Sequence, residues 1–203
     1  MRSRFKTLNP VATLVVTILT SLSSFAAPFV LDTSHTDVGF SVKHLMVSNT
    51  RGTFKDVKGT FDFDEAKNVI KNVSVEIKVD SIDTKDAKRD EHLKSPDFFD
   101  TAKFPLITFK ADSLTVKENK PTKITGTLTM RGVSKPVTLD LTYTGKNTDP
   151  YGVLHAGFNL TGKINRKDFG VSWNKALDKG GVAVGEEVTI DISGEIVPSK
   201  DKR

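Results

Sequence analysis

Four histidines are the side chains of this sequence best suited to metal binding or acid–base chemistry, and they lie far apart, at His35, His44, His92 and His155. A short metal-binding motif needs two such ligands at close spacing, as in His-x-x-x-His. No pair of these histidines has that spacing. The chain also has no cysteine, which excludes zinc–thiolate sites and thiol nucleophiles. The sequence therefore predicts no metal site.

The remaining candidates for catalysis are hydroxyls and carboxylates, and none of them lies in a recognisable catalytic motif. The chain has neither the Gly-x-Ser-x-Gly of a nucleophilic serine nor the glycine-rich lysine loop that holds phosphates. The acidic pairs Asp64-Glu65 and Glu186-Glu187 are typical of turns and surface charges rather than of a general acid and base. Nothing in these motifs indicates enzyme activity or a cofactor, and a general acid–base pair outside them stays open.

The elements that would position functional side chains are strands. Residues 73–80 alternate apolar and polar at every position, as Val-Ser-Val-Glu-Ile-Lys-Val-Asp. This period of two places Val73, Val75, Ile77 and Val79 on a dry face and the polar residues on a wet one. The pattern recurs about eight times, at spacings that suit antiparallel neighbours. The predicted fold class is all-β, an eight-stranded antiparallel barrel.

The other strands follow from the same periodicity. The first extends from about residue 29 to residue 47, with a break near residues 34–37. The second covers residues 52–63 with a bulge near Lys55, and the fourth covers about residues 106–116 with unclear parity. The predicted inward residues of the remaining faces are Val38, Phe40, Val42, His44 and Met46; Val57, Gly59, Phe61 and Phe63; Ile124, Gly126, Leu128 and Met130; Val137, Leu139, Leu141 and Tyr143; Ala156, Phe158, Leu160, Gly162 and Ile164; and Val188, Ile190, Ile192, Gly194 and Ile196.

Two longer segments separate the strands, and each is expected to hold a short helix. In residues 81–105, Asp83 or Thr84 is expected to cap a helix that a proline terminates. In residues 165–186, a second short helix is expected at residues 174–179, before a pair of glycines. The aromatic residues of these segments that are predicted to close or flank one mouth of the barrel are Phe98, Phe99 and Trp173.

The first 26 residues have the pattern of a secretory signal peptide. Three basic residues among the first six precede a short apolar stretch, and small residues at Ser24 and Ala26 mark a cleavage site. We expect cleavage after Ala26, or alternatively after Ala27, and a single domain over residues 27–203. The apolar stretch is short for a transmembrane anchor. The predicted localisation is a bacterial periplasm, with no stable membrane span.

The surface charge gives no sign of a polyanionic partner. Removal of the three basic leader residues lowers the formal net charge from +5 to +2, and both signs are mixed along the rest of the chain. We therefore expect no nucleic-acid binding. An outer-membrane barrel would show the same alternation with lipid outside. The strand ends carry no aromatic girdles, and the mixed charges of the long loops favour a soluble barrel with an apolar interior.

The residues alone leave open what the apolar interior encloses. An eight-stranded barrel is near the size at which the interior holds either side chains or one small ligand. An inward His44 would be either a hydrogen-bonded core residue or a polar contact in a ligand tunnel. Inward glycines mark either bends or room for a narrow chain. These glycines are Gly59, Gly126, Gly162 and Gly194.

A series of motifs gives this chain a resemblance to a known family. The stretches that carry it are Asp37-Val-Gly-Phe-Ser-Val-Lys-His44, Ser81-Ile-Asp-Thr84, His92-Leu-Lys-Ser-Pro-Asp-Phe-Phe-Asp100, Phe104-Pro-Leu-Ile-Thr-Phe109, Gly126-Thr-Leu-Thr-Met-Arg-Gly-Val133, Asn165-Arg-Lys-Asp-Phe-Gly-Val-Ser-Trp173 and Gly185-Glu-Glu-Val188. In order and in coverage of residues 27–203, they resemble the YceI-like family of exported, lipocalin-like isoprenoid-binding proteins. No single stretch is diagnostic, but the series together is specific.

The resemblance implies an extended lipocalin-like barrel whose long apolar pore holds an amphiphilic lipid. Such a lipid would be a polyisoprenoid, a prenylated quinone or a fatty acid derivative. It implies no catalysis and is compatible with a homodimer. The alternative is a periplasmic interaction or stress module, a barrel filled by its own side chains that binds a partner through residues 81–105. The residues predicted to bind the ligand are Phe40, Val42, His44, Phe61, Phe63, Val75, Ile77, Leu128, Met130, Leu139, Leu141, Phe158, Leu160, Trp173 and Ile190.

Overall fold

The computed structural model describes residues 26–178 and 180–200. Apart from Ala26, the predicted signal peptide lies outside these residues. The strands of the described chain are β1 (Ala27–His44), β2 (Ser48–Phe54), β3 (Val57–Asp64), β4 (Val69–Lys78), β5 (Ile82–Asp83), β6 (Leu106–Thr115), β7 (Pro121–Met130), β8 (Val133–Thr148), β9 (Leu154–Asn165) and β10 (Val184–Pro198).

These strands form a closed antiparallel barrel. β3 pairs with β4 and β4 with β6, each strand from β6 to β9 pairs with the next along the chain, and β10 pairs with β1. The early part of β1 pairs with β3 and the later part with β2, so β2 and β3 together act as one interrupted strand. Since β5 contributes two residues at an edge, the barrel wall has eight strands. The predicted fold class is confirmed.

The alternation of burial along the strands is the physical basis of this wall. In β3, Val57, Gly59 and Phe61 are buried while Lys58 and Thr60 between them are exposed. The predicted inward residues of β8 behave in the same way, with Leu139, Leu141 and Tyr143 buried. Each strand therefore turns its apolar residues to the interior and its polar residues to solvent, as the period of two predicts.

One end of the barrel is filled by packed side chains. The ring of Phe63 packs edge-on against those of Phe29 and Tyr143, with centroid distances of 5.4 Å and 6.2 Å. Val116, from the connection after β6, is also fully buried in this cluster. The long connections, residues 79–105 and 166–183, both lie at the opposite end, where β4 ends and β10 begins. We call these two ends the packed end and the loop end.

Two strand predictions need correction. The expected single strand over residues 52–63 is interrupted at Lys55 and Asp56, where the wall changes from β2 to β3. The interruption matches an irregularity in β1, since Asp32 pairs with Glu195 of β10 whereas Asp37 pairs with Ser193. β1 also ends at His44 rather than Val47, because a tight turn follows and leads into β2. In place of the predicted break near residues 34–37, β1 is continuous and has an irregularity of register between Asp32 and Asp37.

The helices differ more from expectation. The helix α1 (Ala87–Lys94) is capped by Asp86, whose side chain accepts hydrogen bonds from the backbone N–H groups of Lys88 and Arg89, and not by Asp83 or Thr84. Thr84 instead donates its backbone N–H and its hydroxyl to Asp90. No helix forms in the described part of residues 174–179, where Ala176 bridges to Val182. A 3₁₀ turn at Arg166–Phe169 is the helical element of this connection.

Within the described residues, no helix has both the length and the apolar content needed to cross a membrane.

Candidate functional site

The barrel encloses an apolar cavity of about 250 Å³. With three exceptions, Thr36, Gly39 and Arg166, the residues that line it are aliphatic or aromatic. They come from strands all around the barrel and from the connection at residues 79–105, which contributes Leu93, Phe98 and Phe99. A cavity of this chemistry offers a bound molecule dispersion contacts and very few hydrogen bonds.

Most of the residues predicted to bind a ligand do line this cavity. They lie on strands from around the whole circumference of the barrel. Each was predicted because it occupies an apolar position in the alternating pattern of its strand. These residues are Phe40, Val42, Phe61, Val75, Ile77, Leu128, Met130, Leu139, Leu141, Phe158, Leu160 and Ile190. Their contact with a ligand remains a prediction, but their position at the cavity surface is a feature of the structure.

The prediction for His44 is wrong in its geometry. His44 is the last residue of β1, its side chain is exposed, and it is not among the residues that line the cavity. It continues the inward parity of Phe40 and Val42, yet it pairs with Ser48 directly beside the turn. The parity of a strand predicts which way a side chain points. It does not predict that the barrel interior ends before β1 does, which leaves His44 exposed.

Phe63 and Trp173 also lie away from the cavity lining. Phe63 belongs to the packed end, where the rings of Phe29 and Tyr143 enclose it, so it helps to close the barrel. Trp173 lies behind Phe98, with ring centroids 5.2 Å apart, and supports that residue from outside. Phe98 and Phe99 do line the cavity, as expected for residues that close its mouth.

The inward glycines do not enlarge the cavity. A Cβ atom on Gly126 would lie 2.5 Å from both Cζ of Phe109 and the carbonyl oxygen of Lys110. A Cβ on Gly194 would lie 3.0 Å from Cζ of Phe158, its partner across β9 and β10. Large side chains thus occupy the space above these glycines. Of the two alternatives for these glycines, bends or room for a narrow chain, the second does not apply, because neighbouring side chains such as Phe109 and Leu139 pack closely against them.

An aromatic cluster covers the loop end of the barrel. The ring of His92, on α1, contacts those of Phe98 and Trp173 with centroid distances of 5.0 Å and 5.1 Å. Phe99 packs edge-on against Phe54 of β2 at 6.2 Å. These contacts join α1, the following turn and the second long connection over the cavity, so the cluster is the structural element that closes it.

Arg131 ties the same two connections together from the turn between β7 and β8. Its Nη2 donates to the carbonyl oxygen of Pro96 at 2.7 Å, and its Nη1 donates to that of Gly170. Its Nε is buried and has no hydrogen-bond partner among the residues that the structure describes. The guanidinium therefore bridges residues far apart in sequence, and it holds both connections in place beside the mouth.

Arg166 is the functional candidate that sequence reasoning missed. Among the described residues that line the cavity, it is the one that carries a charge, and its side chain is buried. It donates to the backbone carbonyl oxygens of Gly185, Val171 and Val184, at 2.8 Å, 2.7 Å and 3.3 Å. No carboxylate lies within ion-pair distance of it in the described part of the chain. The sequence pattern does not predict which polar residue at a strand end is buried, since nothing in it distinguishes Arg166 from the exposed Lys167.

The electrostatics of Arg166 follow from its burial. Removal of the guanidinium from water lowers its pKa, and the nearby negative charge of Glu186 partly opposes that change. A guanidinium stays protonated at neutral pH because its pKa begins far above 7. The loop end of an otherwise apolar cavity therefore carries one positive charge, which neutral carbonyl dipoles stabilise.

The chemistry of the cavity suits an apolar chain better than a polar substrate. Cavities of this size that lack polar partners do not hold water well and accept hydrocarbon guests. Apart from Arg166, the polar side chain at the cavity is Thr36, whose hydroxyl donates to the carbonyl oxygen of Asp32 at 2.6 Å. Among the described residues that line the cavity there is no cluster of acid, base and nucleophile.

Fold and cavity together define a closed antiparallel β-barrel with an enclosed apolar interior. The chain belongs to the YceI-like family, since the model of the YceI-like domain matches residues 29–196. The Protein YceI of Salmonella newport (strain SL254) is 41% identical over 184 residues, which cover 90% of this chain and 94% of that protein.

Solved structures show the same architecture. The YCEI protein of Campylobacter jejuni is 38% identical, with a TM-score of 0.65 over 84% of this chain and 97% of its own. A polyisoprenoid binding domain from Saccharophagus degradans is 14% identical, with a TM-score of 0.62 over 86% of this chain and 99% of its own. The second likeness establishes similarity of fold.

Proposed function

We propose that this protein binds an amphiphilic isoprenoid-type lipid, a polyisoprenoid or a prenylated quinone, in its barrel cavity. It carries or stores that lipid in the periplasm and does not transform it. The observation that carries the proposal is the apolar cavity of about 250 Å³, which is closed by packed aromatic rings at one end and covered by long connections at the other.

The energetics favour a prenyl chain as the buried part of the ligand. Burial of one CH₂ group contributes about 0.8 kcal/mol, so one isoprene unit contributes roughly 3 kcal/mol before ordering costs. Micromolar affinity corresponds to about 8 kcal/mol. A few isoprene units therefore suffice without dedicated polar contacts. Binding of this kind selects for chain length and shape more than for the headgroup.

The relatives support the same class of ligand. The Saccharophagus degradans domain is described as polyisoprenoid-binding, and it shares this barrel architecture. The alternative of a barrel filled by its own side chains, with a partner bound through residues 81–105, predicts no continuous internal cavity. Three residues of that segment, Leu93, Phe98 and Phe99, face the cavity instead.

Native mass spectrometry of the protein purified from a periplasmic extract tests the proposal most directly. We expect an adduct with the mass of a prenylated lipid, which organic solvent extracts, and the same spectrum reports a monomer or homodimer. The intact mass also tests export, since cleavage after Ala26 leaves a chain that begins at Ala27. Repeated preparations without lipid, together with no uptake of added ubiquinone or polyprenol, would rule the proposal out.

A substitution inside the cavity tests the binding site. Leu128 lies on β7 and is buried at the cavity wall, while Thr127 next to it faces solvent. Leu128→Trp should lower lipid occupancy severalfold because the indole occupies ligand space, whereas Thr127→Trp should leave occupancy unchanged. Circular dichroism must show an intact sheet in both variants. Val75→Phe serves as a second cavity variant, and equal occupancy in all proteins would place the lipid elsewhere.

A further inference from the structure

Five side chains with metal-binding atoms meet on the outer wall of the barrel, where β1 and β10 close it. Asp32, His155 and Glu195 each offer a ligand atom, and these atoms all lie within 4.8 Å of one another. Their neighbours Leu31, Ala156 and Ile196 are buried in the core, so the three side chains point outward, away from the lipid cavity. His35 and Asp149, described below, complete the group.

The fold brings together groups that are far apart in sequence. Asp32 and Glu195 are direct partners across the β1–β10 ladder, and Nδ1 of His155 lies 2.7 Å from Oε2 of Glu195. Nε2 of the same imidazole lies 3.6 Å from Oδ2 of Asp149, at the β8–β9 turn. The irregularity of β1 after Asp32 brings in His35, whose ring centroid is 6.3 Å from that of His155.

Two of the carboxylates are held in place by groups outside the cluster. Asp32 accepts the backbone N–H and the hydroxyl of Ser34 on Oδ1, at 3.0 Å and 2.6 Å, and leaves Oδ2 facing Nδ1 of His35 at 2.8 Å. Asp149 accepts the backbone N–H groups of Tyr151 and Val153 on Oδ1, and Oδ2 faces His155. Supporting hydrogen bonds of this kind fix ligands in metal sites.

The charge balance of the cluster calls for a cation. Two carboxylates directly opposite each other on paired strands repel and destabilise the pairing. Asp32 and Glu195 stand in that relationship, and Asp149 adds a third negative charge near the same imidazole. The three carboxylates together carry a formal charge of −3. A divalent ion bound among them would reduce the repulsion between the carboxylates, with imidazole and carboxylate groups as its ligands.

We propose that Asp32, His155 and Glu195, with His35 and Asp149 at its margin, form a binding site for a divalent transition-metal ion of the zinc class. Imidazole and carboxylate are ligands that zinc accepts, at about 2.0–2.2 Å, which places tetrahedral ligand atoms roughly 3.4 Å apart. The ligand atoms of Asp32, His155 and Glu195 all lie within 4.8 Å of one another, so they need to approach by at most about 1.4 Å to reach that spacing. The absence of closely spaced histidines in the sequence does not oppose this site, because its ligands come from three different strands.

Equilibrium dialysis of the untagged protein against zinc chloride at pH 7.5 tests the site. We expect one bound equivalent for the wild-type protein and a rise in its unfolding temperature with zinc concentration. His155→Gln should weaken binding at least about tenfold. The matched control is His44→Gln, which removes an exposed histidine at the end of β1 that does not line the cavity. This control should bind like the wild-type protein.

Two further measurements keep the test decisive if His155→Gln folds poorly. Glu195→Gln retains shape and should also weaken zinc binding at least about tenfold. In the wild-type protein, zinc should perturb the imidazole NMR signals of His35 and His155 and leave those of His44 and His92 in place. The proposal is overturned by the absence of a bound equivalent, by unchanged binding in both cluster variants, or by perturbation of other histidines instead.

Discussion

The Nε–H of Arg166 donates to the backbone carbonyl oxygen of Gly185 at 2.8 Å, at the point where the second long connection returns to the barrel wall. The same guanidinium donates to Val171, within that connection, at 2.7 Å. One buried side chain therefore holds together the beginning, middle and end of the segment between β9 and β10. Since Arg166 also lines the cavity, the closure of the loop end and the shape of the cavity depend on the same residue.

We expect Arg166→Met to destabilise the protein by about 1–3 kcal/mol, because the buried carbonyls of Gly185 and Val171 lose their donor. Urea unfolding measured by circular dichroism would show a lower midpoint. Lys167→Met is the matched control, since Lys167 is exposed and pairs with Glu186 at the surface. That change should alter stability by less than about 1 kcal/mol. Equal losses in the two variants would contradict a structural role for Arg166.

Gly126 and Gly162 of the barrel wall differ in the atoms that an added methyl group would meet. The two alanine variants should therefore differ in stability. Gly126→Ala forces a methyl group to within 2.5 Å of the carbonyl oxygen of Lys110, a backbone atom that cannot rotate away. We expect a loss of about 1–3 kcal/mol. At Gly162 the nearest atom is the flexible Cδ2 of Leu139, so Gly162→Ala should cost less. Chemical denaturation ranks the two variants, and the reverse order would refute this account.

The sequence predicted the directions of the strand side chains best, because a single rule decides them. Alternation with period two identified the inward faces, because a residue between buried neighbours on a strand has only two directions available. Phe158, Leu160 and Ile190 were located at the cavity by this rule alone. The same rule failed for His44, because parity carries no information on where along its axis a barrel closes.

The long connections and the outer wall could not be predicted in the same way. Arg166 is buried because carbonyl groups from residues 171–185 converge on it, and those contacts depend on the path of the whole segment. His155 and Asp32 are separated by more than a hundred residues and meet through the closure of β1 on β10. Local patterns describe single elements, whereas these contacts arise from the pairing of strands distant in sequence.

The turn between β1 and β2 contains strain that substitution should relieve. Leu45 and Met46 both have positive φ values, 49° and 62°, a combination that Asn-Gly adopts readily in two-residue hairpins. We expect Leu45→Asn combined with Met46→Gly to stabilise the protein by about 1 kcal/mol. Val47→Asn, which removes an apolar side chain that is 82% exposed, should have little effect. Thermal unfolding compares them, and a lower midpoint for the double variant would contradict the strain argument.

The two tyrosines of the chain offer a test of the packed end at alkaline pH. Tyr143 is buried, and desolvation, with the negative charges of Glu118 and Glu65 nearby, raises its pKa above the ordinary value near 10. In the unfolded chain the phenol ionises first, so the unfolded state binds fewer protons above pH 10. The stability that depends on a neutral Tyr143 is therefore fully present below about pH 10 and is lost as the pH rises further.

Tyr143→Phe removes this ionisation while it preserves most of the ring packing against Phe63. We expect the free energy of unfolding of the variant to fall less between pH 9 and pH 11 than that of the wild-type protein, as measured by urea titration at each pH. Tyr151→Phe is the matched control, because Tyr151 is 91% exposed at the β8–β9 turn. It should follow the wild-type pH dependence. An equal alkaline loss in Tyr143→Phe would mean that other groups, such as the lysines, account for the whole effect.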